Sequence, residues 1–309
     1  MNHSSFISFR LKPVPPFRLD LTAWALRRRF NNVVDRWDGS TYRRVVVCDR
    51  EPVEIEMIQI GNSNRPILQV NGSCAKVTSN TKPTIKALVD RIFGLRTDLT
   101  DFYKFARGDE KLSALSQRFR GMKPPRFPTL FEALVNAISC QQLSLTVGII
   151  LLNRLAEEYG VPFKSEKGIS YSFPLPERLA AANSNALRKL GFSRQKGRYL
   201  IELSQLVTQK KIDLDRLENL NNEDVLDQLY TLRGVGRWTA EYVLLRGLGR
   251  LALFPGDDVG AQNRLQRLFN LKKPPDYDTV KVILKQWHPY GGLIYFHLLL
   301  DGLSQGGYL

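Results

Sequence analysis

The chain has 309 residues with 45 Lys and Arg against 30 Asp and Glu, giving a formal charge of +15 and a sequence pI near 9.8. A hydrophobic share of 43% excludes a disordered tail protein, and the basic excess suits a polyanion partner. Cys48, Cys74 and Cys140 make no CxxC or zinc spacing, His3, His288 and His297 form no metal motif, and no signal segment or apolar run of about 18 residues is present. A disulfide framework, an iron–sulfur cluster and a membrane span are not expected; a soluble, cytoplasmic protein is.

Up to about Pro16 the chain is polar and proline-bearing and reads as a loose start. Asp20 is placed to cap a helix through Thr22, Ala23, Trp24, Leu26 and Phe30, with Arg27, Arg28 and Arg29 on its solvent side. Tyr42 to Cys48, Val53 to Ile60 and Pro66 to Val70 are rich in β-branched residues and read as strands, with turns at Asp38-Gly39, Gly61-Asn62 and Asn71-Gly72. Ile85, Leu88, Val89 and Ile92 predict a helix over 82–93. Together these make a small antiparallel α+β unit.

Beyond 101–119 helices dominate. Thr129 and Glu132 have capping-box spacing and start a helix that should end near Ser139, leaving Cys140 to Ser144 in a turn. Further helices fit 176–190, 193–207 and 223–231, and no repeat or low-complexity tract appears. From Leu229 to Phe269 the pattern is a short helix, a Gly234-Val235-Gly236 turn, a helix to about Arg246, a loop closing in Pro255-Gly256-Asp257-Asp258, and a helix from Val259. Two glycines around one apolar residue allow positive φ and leave the amides of Gly234, Gly236 and Arg237 free to meet a phosphate. One of the two aspartates should cap the following helix.

LRGVGRWTAEY followed by LFPGDDVGAQ resembles the helix-hairpin-helix, Gly/Pro-rich loop and aspartate signature of the HhH-GPD DNA glycosylases, and most resembles their 3-methyladenine DNA glycosylase II branch. The stretches GMKPPRFPTLFEALVNAISCQQLS, LGFSRQKGRYLIELS and WHPYGGLIYFHLLL are similar to that branch in the same order. The resemblance implies an α+β protein, with a small N-terminal β-sheet domain like the TATA-box-binding protein over 1–115 and an all-helical glycosylase domain over 116–309. It implies a monomer acting on damaged double-stranded DNA, nucleoid-associated, with no required cofactor.

The same resemblance assigns the chemistry. Asp258 takes the catalytic position and Asp257 becomes its capping or structural neighbour. Trp238 and Tyr242, four residues apart on one helical face, line the base pocket, where π density suits an alkylated cationic base such as 3-methyladenine or 7-methylguanine. Gln141, Gln142 and Ser144 approach the minor groove, with Gln142 the wedge that fills the gap left by the extruded nucleotide. Gly234, Gly236 and Arg237 hold DNA phosphate, and the carbonyls of Tyr230, Leu232 and Val235 are implied ligands of a monovalent cation. Bifunctional relatives carry a Schiff-base lysine where Trp238 stands, which favours a monofunctional enzyme over a glycosylase/lyase. A non-catalytic helix-hairpin-helix protein, with Asp258 merely a cap, is the remaining alternative.

Overall fold

The computed structural model describes residues 5–309, so His3 lies outside the described residues. The first stretch is a strand rather than a loose start: in β1 (Ser5–Leu11) Phe9 and Leu11 are buried and Ser8 and Arg10 face out, a period-two pattern. After α1 (Leu19–Arg27) come β2 (Arg36–Trp37), β3 (Thr41–Cys48), β4 (Glu51–Gln59) and β5 (Leu68–Cys74), then α2 (Thr81–Phe93). The five strands form one antiparallel sheet in the order β1-β5-β4-β3-β2. Ala23 and Leu26 of α1 and Ile85, Val89 and Ile92 of α2 share a core with Met57, Leu68 and Val70 of the sheet.

Three local expectations fail here. Asn71-Gly72 is not a turn but lies inside β5, where a Cβ on Gly72 would stand 2.9 Å from Ile7 Cγ1. The glycine marks close packing over the sheet. The tight turn is instead Asp49-Arg50, both at positive φ, with Cys48 opposite Glu51. Asp20 does not cap α1, which begins one residue earlier; it pairs with Arg18. The largest departure is the arginine run: Arg27 and Arg28 are only 3% and 4% exposed. Arg27 donates to the carbonyls of Arg29, Phe30 and Trp37, closing the loop after α1.

The helical part comprises α3 (Thr100–Arg107), α4 (Glu110–Arg118), α5 (Leu130–Cys140), α6 (Leu145–Tyr159), a hairpin of β6 (Pro162–Ser165) and β7 (Gly168–Tyr171), α7 (Pro176–Ala180), α8 (Ser184–Lys189), α9 (Arg194–Thr208), α10 (Asn222–Tyr230), α11 (Arg237–Arg246), α12 (Val259–Leu268), α13 (Tyr277–Lys285) and α14 (Gly291–Gln305). The single helix expected over 176–190 is thus two, the second capped by Asn183. Buried side chains of α5, α6, α9, α10 and α11 form one core, and those of α3, α4, α12 and α14 a second, which Leu21, Trp24 and Ala25 of α1 join. Among the described residues no helix is long and apolar enough to cross a membrane.

Only half of the expected capping box forms. Thr129 Oγ1 accepts the Glu132 N–H at 3.1 Å, but the Glu132 carboxylate turns to Arg44 of β3, at 2.6 and 2.7 Å. Arg44 is buried and also meets Asp35 at 2.7 Å. A buried guanidinium left without a counterion costs several kcal/mol, more than a box is worth, so the carboxylate goes to the charge. This pair joins the sheet to the helix whose other end reaches the site described next.

Candidate active site

Gly234 has φ +83, and a Cβ there would lie 2.3 Å from Tyr199 Cδ2, so the turn between α10 and α11 requires glycine at this position. Gly236 differs: its φ is −106°, and nothing lies within 4 Å of where its Cβ would be. Positive φ is therefore needed at one glycine of the two. At the other, the missing side chain leaves open space at the start of α11, whose N-cap supplies no side-chain acceptor to the first amides.

Twenty residues after Trp238, the Pro255-Gly256 loop delivers Asp257 and Asp258 to the start of α12. Asp258 is the cap: its Oδ1 accepts the Ala261 N–H at 2.8 Å. Its Oδ2 accepts from Trp238 Nε1 at 3.3 Å and from the Tyr295 hydroxyl of α14 at 3.1 Å. Asp257 is not a cap but an ion-pair partner, taking Arg237 at 2.7 and 3.0 Å while that guanidinium lies 3.6 Å from the Tyr277 ring centroid. The expected division of labour is thus corrected: Asp258, the residue expected to be catalytic, also does the capping. One carboxylate oxygen suffices for the helix, and three neutral donors fix the group's orientation.

Trp238 and Tyr242 stack with centroids 5.3 Å apart and planes at 30°. Both line a cleft of about 1120 Å³ together with Asp258, Tyr295 and Leu299. Burial first, and then the Asp258 carboxylate, push the Tyr295 phenol well above its ordinary range, so it remains a donor to that carboxylate. The Tyr242 hydroxyl faces inward, where Arg28 Nη1 donates to it at 3.0 Å.

The turn between α5 and α6 forms another wall. Gln141 is tied inward, donating to the Gly234 carbonyl and to Thr239 Oγ1, each at 2.7 Å, and so couples this turn to the hairpin. Gln142 is exposed at φ +52, and the exposed Leu143 follows it. Ser144 caps α6 by accepting the Val147 N–H at 3.3 Å. All of these line the cleft, as do Gly234, Gly236, Arg237 and Val235; Tyr230 and Leu232 do not. The Leu232 carbonyl accepts the Val235 N–H at 3.2 Å.

Sequence reasoning missed Arg28, Tyr295 and Lys196. Tyr295 carried a signal, a polar-tipped aromatic four residues before Leu299 on an apolar helix. Arg28 and Lys196 carried none, because each enters from a distant segment. Lys196 lines the cleft, with Nζ donating to the carbonyls of Ser139 at 3.1 Å and Gln141 at 2.6 Å, and burial lowers its pKa. It closes the C-terminal end of α5.

Residues 135–289 match the family described as HhH-GPD superfamily base excision DNA repair protein. The chain is 28% identical over 284 residues to a DNA-3-methyladenine glycosylase of Bacillus subtilis, covering 91% of this chain and 93% of that one. Its fold is shared with a 3-methyladenine DNA glycosylase from Archaeoglobus fulgidus, at a TM-score of 0.83 and 24% identity over 97% of this chain and all of the other. A 3-methyladenine DNA glycosylase of Schizosaccharomyces pombe, solved in complex with abasic DNA, matches 68% of this chain and 100% of its own at a TM-score of 0.57 and 25% identity.

Proposed function

The chain belongs to the HhH-GPD superfamily of base excision DNA repair proteins, and from that premise we propose that it is a monofunctional DNA glycosylase that excises alkylated purines from duplex DNA. The observation that carries the reading is the Asp258 carboxylate, held by Trp238 and Tyr295 on the wall of an aromatic cleft beside the hairpin. A base stacked in a duplex must be extruded before its glycosidic bond can be reached, at a cost of a few kcal/mol. In this reading Gln142 fills the gap left behind, and its exposure at the tip of its turn with Leu143 beside it supports that role. As the bond breaks, positive charge grows on the sugar, and the oriented carboxylate of Asp258 stabilises it and directs water to the same carbon.

A cationic methylpurine is already an activated leaving group, so one carboxylate suffices without a general acid. The stacked Trp238 and Tyr242 rings offer the base a π surface. Gly236 and the amides at the start of α11 suit a phosphate that needs no sequence readout. The neutral, hard carbonyl oxygens of Tyr230, Leu232 and Val235 fit a monovalent cation, which would neutralise phosphate charge at the hairpin. Trp238 at the Schiff-base position supports hydrolysis without strand cleavage. In this reading 116–309 carry the hairpin and Asp258, 1–115 form the smaller domain, and a monomer works on DNA in the nucleoid. Release of free methylpurine from methylated duplex DNA tests the proposal; binding without release would favour a non-catalytic helix-hairpin-helix protein.

A further inference from the structure

Of the charged side chains that line the cleft, Arg28 is the buried one, and it has no part in the reading above. Arg28 ends α1 at φ +62, a left-handed conformation that side chains seldom adopt, and this turn sends its guanidinium out of the sheet layer into the helical cleft. There it is nearly fully buried. Nη1 donates to the Tyr242 hydroxyl at 3.0 Å and Nη2 to Asn136 Oδ1 at 2.8 Å, while its Nε–H is buried with no partner among the described residues. Both of its side-chain partners among those residues, a phenol and an amide, are neutral. A second buried guanidinium, Arg246, stands 5.6 Å from the Tyr242 ring centroid. Arg246 lies behind the cleft wall and donates to the Ala25 carbonyl, so Arg28 is the guanidinium that lines this end of the cleft, and burial penalises its charge.

Contacts run from Asp258 to the Trp238 indole at 3.3 Å, from Trp238 to the Tyr242 ring at 5.3 Å, and from the Tyr242 hydroxyl to Arg28. Asp258 must face the sugar, so the far end of this chain of contacts meets the edge of the base remote from the glycosidic bond. On a purine that edge carries the substituent at position 6. An oxygen there accepts from a guanidinium; an amino group there opposes donor with donor and leaves buried N–H groups unpaired.

Resting on the glycosylase reading, we propose that Arg28 is a specificity-determining residue that donates to the 6-oxygen of the extruded purine. Arg28 then speeds release of 6-oxopurines, such as 7-methylguanine and the neutral hypoxanthine, and gives no such help to 6-aminopurines such as 3-methyladenine, whatever activation a positive charge on the base adds. The contact is charge-assisted and buried, so its loss corresponds to about a 10- to 100-fold change in rate.

The test uses the full chain and one methylated duplex that contains both 7-methylguanine and 3-methyladenine, beside a duplex with a single hypoxanthine. Arg28→Met should cut release of 7-methylguanine and hypoxanthine by about 10- to 100-fold and change release of 3-methyladenine by less than about threefold. Arg28→Lys, which keeps the charge and a donor, should restore part of the loss. An equal loss on all three bases, or no loss, overturns the proposal while leaving the glycosylase reading intact. Absence of any base release by the wild type overturns both. Should Arg28→Met fail to fold, the wild type is compared on hypoxanthine and on unsubstituted purine, which lacks the 6-oxygen: release of hypoxanthine at least about tenfold faster supports the proposal, and equal rates overturn it.

Discussion

Asp258→Asn separates the two things that Asp258 does. Its Oδ1 caps α12 and its Oδ2 receives Trp238 Nε1 and the Tyr295 hydroxyl. Asparagine caps a helix about as well as aspartate, so the Ala261 N–H keeps an acceptor and the cap's contribution of about 1 kcal/mol is retained. What disappears is the negative charge beside the sugar, and the new amide presents donors to two groups that are themselves donors. Removing one preorganised electrostatic group of this kind costs about 2.7–4 kcal/mol in the transition state, or roughly 10²- to 10³-fold in rate. Single-turnover release of 7-methylguanine from methylated duplex is the assay, with thermal unfolding and duplex binding measured in parallel. Asp258→Ala is the counterpart: it removes cap and charge together and should lower stability by about 1 kcal/mol in addition to abolishing turnover. If Asp258→Asn turns over within a few-fold of wild type, the carboxylate is a cap only and the mechanism is wrong.

The two hairpin glycines should respond differently. Gly234→Ala meets Tyr199 and a positive φ and should destabilise the fold by about 1–3 kcal/mol, read by denaturant unfolding. Gly236→Ala, with open space around it, should fold normally yet weaken binding to every duplex sequence by a similar factor; a sequence-dependent loss would count against a phosphate contact. Tyr295→Phe removes one donor to Asp258 and should slow base release by about tenfold with unchanged duplex affinity, whereas unchanged turnover would reduce Tyr295 to packing. His297 is buried, shares its Nδ1 with the Leu293 carbonyl, and is held down to about 4 by burial, so the folded protein leaves it neutral where the unfolded chain protonates it. Its contribution is whole above pH 6.5 and is lost as the pH falls toward 4, about 2 kcal/mol by pH 5. His297→Gln should flatten the dependence of stability on pH across that window, and an unchanged slope would refute the assignment.

What the sequence revealed was what is local along the chain. The hairpin, the Pro255-Gly256 loop and the Trp238–Tyr242 face each span a few residues; spacing puts the two aromatics on one helical face, and the resemblance to the family joins them to the hairpin and Asp258. The arginine run after α1 was misread because a triple of charges ordinarily signals a solvated face; only the tertiary fold shows Arg27 tying off a loop and Arg28 entering the cleft. Glu132 looked like a capping-box partner until the sheet supplied Arg44 as a stronger claimant. Asn71-Gly72 carried a turn signal that packing against Ile7 overrode. Choosing between Asp257 and Asp258 as the cap turned on Arg237, twenty residues away, which takes Asp257 for itself. In each case the missing information was a partner distant in sequence.

The claim at the centre of this account is that the cleft cleaves a glycosidic bond by water and not through an amine of the protein. One incubation with methylated duplex DNA tests it, scoring free base, strand nicking and borohydride-trapped adduct in the same reaction. The account predicts released methylpurine, an intact abasic strand and no adduct. Lys196 lines the cleft with its amine bound to two main-chain carbonyls, so a trapped complex that disappears in Lys196→Met would contradict the hydrolytic mechanism and show that this lysine forms the Schiff base.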